Sequence, residues 1–170
     1  MNNRIKIANI IKESIVDGPG IRMVVFTQGC IHNCPDCHNP ETHSFSKGNY
    51  MDIDKIVEMY KSNPLLDGIT LSGGEPFLQS SNCSILANRI KGIGGNVITY
   101  TGYTFEEIMK QANKNKGWKE LLYATDILID GPFQIDKRSL NLKFRGSTNQ
   151  RIIDVGESLK KNKVVLVQWG

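Results

Sequence analysis

The residues best suited to chemistry lie between Gly29 and Asn39, read as Gly-Cys-Ile-His-Asn-Cys-Pro-Asp-Cys-His-Asn, where Cys30, Cys34 and Cys37 fall within eight positions. Three of the four cysteines are here. No signal-peptide pattern opens the sequence, so thiols clustered in this way point to metal or redox chemistry rather than to a disulfide framework. Gaps of three and then two residues let a curled loop turn its sulfurs toward one centre. Three thiolates are one short of a closed tetrahedral zinc site, for which His32, His38 or His43 would supply the fourth ligand. They equally suit a cubane iron–sulfur cluster in which three irons are held and the fourth is open to a substrate, a departure from four-cysteine ligation. The loop alone leaves both readings open.

Two other stretches have the residue types for binding. Ser72-Gly73-Gly74-Glu75-Pro76 places paired glycines where a ligand can approach the backbone, with Glu75 as an acceptor for an ammonium group and Pro76 fixing the exit. The same residues would also make a plain strand-to-helix turn with a solvated glutamate. Arg145-Gly146-Ser147-Thr148-Asn149-Gln150-Arg151 gathers guanidinium and amide donors that can clamp a carboxylate or order a partner's loop, or can close a turn on itself. Asp17-Gly18-Pro19-Gly20-Ile21-Arg22 reads as an ordinary turn unless it abuts the cysteine loop, and Cys83, alone in a helical segment, as a small buried hydrophobe.

The elements that must position these residues alternate between strand and helix. Arg4 to Lys12 is an edge strand or hairpin arm. Arg22 to Thr27 is a β-branched and aromatic run of the kind buried in a parallel sheet, and it delivers the cysteine loop at its C-terminal end. Ile53, Ile56, Val57 and Tyr60 recur at helical spacing behind Asp52 as N-cap, with Pro64 beyond the end. Gly68 to Leu71 is a second strand, and Ile85, Leu86, Ile90 and Ile93 mark a helix closed by Gly94-Gly95. Asn96 to Thr101 is a third strand, Thr104-Phe105-Glu106-Glu107 a capping box before Ile108, Met109 and Ala112, and Asp126 to Asp130 a fourth strand. Gly131 to Asn149 has no clear period, and Phe133, Leu140, Leu142 and Phe144 are its expected apolar anchors. Val164 to Trp169 is a candidate last strand at an edge. Four such units predict an α/β fold with a parallel sheet and right-handed crossovers, too few to close an eight-stranded barrel. The expectation is a partial, open parallel β/α barrel.

Bulk properties bound the rest. A length of 170 residues suits one domain over residues 1–170, with 39% hydrophobic and 22% charged residues arguing against extended disorder. A net charge of +4, with basic residues spread along the chain, does not make a nucleic-acid stripe. The apolar runs Met23 to Phe26 and Val164 to Val167 are too short to span a bilayer. A cytoplasmic protein with neither nucleic acid nor membrane as partner is expected.

The cysteine spacing after the first core strand, Gly73-Gly74-Glu75-Pro76 after the second and the partial-barrel rhythm together resemble the radical S-adenosylmethionine superfamily. Asp17 to Arg22, Thr101-Gly102-Tyr103, Asp130-Gly131-Pro132-Phe133 and Arg145 to Asp154 further resemble its glycyl-radical-enzyme activases. The first of these stretches is shared with the pyruvate formate-lyase activating enzyme; the last points to activases that serve anaerobic ribonucleoside-triphosphate reductase. The resemblance implies that Cys30, Cys34 and Cys37 hold a [4Fe-4S] cluster whose open iron binds S-adenosylmethionine, with Gly73, Gly74 and Glu75 at its methionine amino group. It implies reductive cleavage of that cofactor and a glycyl radical on the large subunit of the reductase, with a flavodoxin or ferredoxin as electron donor. Many members carry an aromatic residue just before the third cysteine; here Asp36 stands there, and His38 is the expected stacking residue for adenine. Arg145, Asn149 and Arg151 are the expected contacts to the partner. Competing readings are another radical enzyme, such as the pyruvate formate-lyase activase, or a zinc-stabilised binding module.

Overall fold

The computed structural model describes residues 3–32, 34–37 and 39–167. Among the described residues seven strands form a single sheet: β1 (Arg4–Ser14), β2 (Arg22–Thr27), β3 (Asn49–Asp52), β4 (Gly68–Gly73), β5 (Asn96–Tyr100), β6 (Ile127–Asp130) and β7 (Arg151–Asp154). Their order across the sheet is β3-β1-β2-β4-β5-β6-β7, so the sheet is open rather than closed. The four strands expected from the sequence, β2, β4, β5 and β6, are its parallel centre, with Arg22 opposite Gly68 and Gly68 opposite Asn96. Their apolar runs are buried because helices cover the sheet: Met23, Val25, Ile69, Leu71, Val97 and Leu128 pack in one core with the inward faces of the helices.

The crossovers follow the helical periods. In α1 (Ile53–Lys61), Ile53, Ile56, Val57 and Tyr60 are all buried, although Asp52 at the N-cap makes no side-chain capping bond. α2 (Ser80–Gly92) buries Leu86, Ala87, Ile90 and Cys83. Ile93, expected on that buried face, is instead the C-cap and 44% exposed, because Gly94 turns the chain at φ +94° just beyond it. α3 (Phe105–Ala112) opens with the capping box of Thr104 and Glu107, both halves formed.

Of the two readings of Arg4 to Lys12, β1 is the hairpin arm and not an edge strand. It pairs antiparallel with β2 on one side and with β3 on the other. β3 escapes sequence reading because Asn49-Tyr50-Met51-Asp52 is mostly exposed and carries no alternation. Two more helices, α4 (Lys116–Ala124) and α5 (Val155–Lys161), and the short antiparallel strand β7 also went unpredicted. Residues 164–167 lie against β7 as a single bridge, Leu166 to Ile153, flanked by hydrogen bonds from Asp154 N to Val165 O and from Val167 N to Ile152 O. The remainder of the expected last strand, including Trp169, lies outside the described residues. Among the described residues no helix is long and apolar enough to cross a membrane.

Arg22 fastens the base of the parallel centre. Its side chain is wholly buried. Its guanidinium donates to Thr70 Oγ1 at 2.8 Å on β4, to Ile69 O at 2.7 Å and to Asn96 Oδ1 at 2.6 Å on β5. Thr70 in turn donates to Asp17 O at 2.8 Å, so the Asp17 to Gly20 turn is tied to the strands. Burial pushes the Arg22 pKa down to about 10, which still leaves it charged at neutral pH.

Candidate active site

The cysteine loop springs from the C-terminal end of β2 and is held at its base by backbone hydrogen bonds. Gly29 N donates to Thr42 O at 2.7 Å and Cys30 N to His43 O at 3.2 Å. At the far side Cys37 N donates to Cys34 O at 3.2 Å, which makes Pro35 and Asp36 the centre of a turn. Asp36 has φ +56°, a left-handed conformation that Asp tolerates better than bulky residues, and Pro35 pre-sets the preceding φ. The local backbone therefore gives a physical reason for Asp at the position where an aromatic was expected.

Cys30, Cys34 and Cys37 are partly buried thiols that line one cavity of about 560 Å³ together with Gly73, Gly74, Tyr100 and Gly102. Burial pushes the Cys34 thiol up, an effect partly offset by a hydrogen bond from the Phe133 backbone. Cys37 Sγ accepts from Asn39 N at 3.4 Å. Among the described residues no group of three His, Cys, Asp or Glu side chains is arranged to hold one metal ion. Three soft donors facing a common space, with the fourth cysteine Cys83 sealed in α2, fit a cluster in which each of three irons takes one thiolate. His38, the expected stacking residue, lies outside the described residues.

The glycine turn after β4 is zipped onto the base of this loop. Gly74 N donates to Thr27 O and Glu75 N to Gly29 O, each at 2.8 Å. A Cβ on Gly74 would lie 2.3 Å from Gly29 O, so the close approach of the two backbones requires glycine there. Gly73 and Gly74 face the cavity, but Glu75 does not: its side chain is fully buried behind them. Glu75 Oε1 accepts from His32 Nε2 at 2.6 Å and from Gly102 N at 2.8 Å; Oε2 accepts from Phe77 N at 3.1 Å; and Thr101 Oγ1 lies 2.9 Å from both oxygens. His32, considered in the sequence only as a zinc ligand, is thus a site component that the residue types did not single out, and the Thr101-Gly102-Tyr103 turn after β5, noted in the sequence only for its resemblance to the activases, meets it at the same carboxylate. The signal available was their place beyond the C-terminal ends of parallel strands.

Of the expected partner contacts, Arg145 lines the cavity, with its guanidinium donating to Gln150 O at 2.6 Å and Thr148 O at 3.3 Å. Gln150 Oε1 closes the same turn by accepting from Gly146 N at 2.8 Å and Ser147 N at 3.2 Å. Asn149 donates to Pro132 O at 2.8 Å. Arg151 is committed to the buried Asp130, at 2.6 Å, and to Glu106, and these hydrogen bonds push its pKa up. Phe133 anchors the segment in the core, whereas Leu140, expected to do so as well, is 85% exposed at the cavity mouth.

A thiol triad beyond a parallel strand, beside a glycine turn from the next strand, suits an iron–sulfur protein. Residues 16–153 match the family described as a 4Fe-4S single cluster domain, and the chain belongs to it. Within it, the chain is 33% identical over 144 residues to the anaerobic ribonucleoside-triphosphate reductase-activating protein of Enterobacteria phage T4, covering 81% of this chain and 86% of that one. Proteins of the same name from Pasteurella multocida (strain Pm70) and Escherichia coli (strain K12) are each 34% identical, covering 81% and 80% of this chain and 90% of theirs. An iron–sulfur family sets aside the zinc reading of the cysteine loop.

Proposed function

We propose that this chain is an activase that holds a [4Fe-4S] cluster on Cys30, Cys34 and Cys37, binds S-adenosylmethionine in the adjoining cavity and generates a glycyl radical on anaerobic ribonucleoside-triphosphate reductase. The observation that carries the reading is the meeting of three thiols with the Gly73-Gly74 backbone in one cavity, in a chain a third identical to activating proteins of that reductase. When bound, a cluster of this kind supplies the electron for reductive cleavage of S-adenosylmethionine.

The protein's own residues do the rest. The three thiolates would hold the cluster, one to each of three irons. Gly73 and Gly74 bring bare backbone to the cavity wall, where an amino group finds carbonyl acceptors, and the carboxylate of Glu75 sits directly behind them. Phe133 and Phe144 line the cavity with apolar surface that keeps water from a radical. Leu140 and Arg145 stand at the side open to a macromolecular substrate, so the segment of residues 131–150 receives the partner's glycine loop. The electron donor is a flavodoxin or ferredoxin, and the protein works in the cytoplasm as a single domain.

The test is anaerobic reconstitution followed by iron and sulfide analysis, then dithionite reduction with S-adenosylmethionine and, separately, with the reductase. About four irons per chain, 5′-deoxyadenosine as product and a glycyl-radical resonance on the reductase are the expected results. Zinc without iron, or a cluster-loaded protein that yields no 5′-deoxyadenosine, would overturn the reading.

A further inference from the structure

We propose that His32 is a positioning residue whose hydrogen bond to Glu75 braces the cysteine loop against the glycine turn, so that retention of the cluster depends on this bond. The inference rests on the cluster reading above, but it gives Glu75 a second role, that of holding the loop that carries the thiols. Its buried carboxylate is the hub of three segments that each follow a parallel strand. His32 comes from the loop after β2, Glu75 itself from the turn after β4, and Thr101 and Gly102 from the turn after β5. Through this one carboxylate the Cys30 to Cys34 stretch is linked to both neighbouring turns.

The geometry is specific to an N–H donor. A carboxylate oxygen only accepts, so the 2.6 Å contact requires the proton on Nε2. The ring is further seated edge-on against Tyr103, at 4.5 Å between centroids and 74° between planes. Gly102 makes room for it: a Cβ there would stand 2.4 Å from His32 Cδ2. His32 is only 15% exposed and Glu75 not at all, so water competes poorly for the bond. The loop's base is fixed by backbone bonds at Gly29 and Cys30, and this side-chain bond adds a hold at His32, between the first two thiols in sequence.

The test separates the hydrogen bond from the packing of the ring. His32→Phe keeps an aromatic ring against Tyr103 and removes the donor; His32→Gln places an amide N–H near the position of Nε2 and removes the ring. Two readouts are taken: the rate of iron release from reconstituted protein to a chelator, and the alkylation rate of the loop thiols in the metal-free protein. His32→Phe is expected to speed both by about tenfold, the weight of one hydrogen bond to a charged group, and His32→Gln to restore most of that loss. Gly102→Ala, outside the cysteine loop, is expected to act like His32→Phe by pushing the ring away. Wild-type rates in His32→Phe would overturn the brace, as would a His32→Gln variant no slower than His32→Phe. Failure of the wild type to take up a cluster would instead overturn the functional reading, while the alkylation rates in metal-free protein would still decide the brace.

Discussion

Arg22→Met is the perturbation whose cost follows most directly from the geometry. The substitution removes a fork that reaches three oxygens within 2.8 Å. Asn96 is exposed and can turn its amide to water, but Thr70 and Ile69 are wholly buried, and a bare buried acceptor costs about 1–3 kcal/mol. Two such oxygens give about 2–6 kcal/mol, from which the apolar burial of a methionine side chain returns about 1–2 kcal/mol. A net loss of about 3 kcal/mol remains, within reach of the values found when one member of a buried polar network is deleted. Urea unfolding of the metal-free protein measures it: with a slope of about 2 kcal/mol per molar, the midpoint should fall by about 1.5 M. Arg22→Lys keeps the charge without the fork and should fall between wild type and Arg22→Met. A midpoint within about 0.3 M of wild type in Arg22→Met would refute the reasoning, because it would mean that the buried oxygens had found other donors at no cost.

Burial raises the Cys83 thiol from 9.0 to about 12, so at pH 8 its thiolate fraction is about a thousandfold below that of an ordinary cysteine. Alkylation of the native, metal-free protein should therefore modify the three loop thiols and spare Cys83 until the pH approaches 12; four equally fast thiols in mass spectrometry would contradict it. Gly74→Ala and Gly92→Ala should part company. The first forces a Cβ onto the Gly29 carbonyl and should lower both stability and cluster uptake, whereas the second meets nothing within 4 Å at the end of α2 and should raise stability by up to about 1 kcal/mol. Equal melting temperatures for the two variants would count against the close approach.

The parallel centre of the sheet was legible because β2, β4, β5 and β6 are buried on both faces and read as unbroken apolar and β-branched runs. The Thr104 to Glu107 cap was legible because both of its halves are local in sequence. The antiparallel flanks were not. β3 owes its existence to pairing with β1 rather than to any pattern of its own, and β7 is four residues hidden at the end of a motif read for its side chains. α4 begins at Lys116-Gly117, a weak helix start whose cap is Asn115, and is fixed by burial of Leu121 and Leu122 against α2 and α3. In the site, residue types and spacing pointed to the three cysteines and the glycine pair that line the cavity. The direction of Glu75 was beyond sequence reasoning, since an acidic residue in a turn reads as solvated, and only the three-way meeting of loops after β2, β4 and β5 buries it.

The base of the cysteine loop is held by main-chain bonds from Gly29, Cys30, Gly74 and Glu75, none of which needs a metal. A loop base held in this way would not depend on the inorganic part for its shape. If oxygen stripped iron from such a site, the scaffold beneath the thiols would still be formed and ready for a new delivery. Repair is then a matter of restoring iron and sulfide to an existing molecule, without unfolding it or making another. For a cell that moves between air and its absence, recovery would be limited by supply of the inorganic parts and of reductant rather than by protein synthesis.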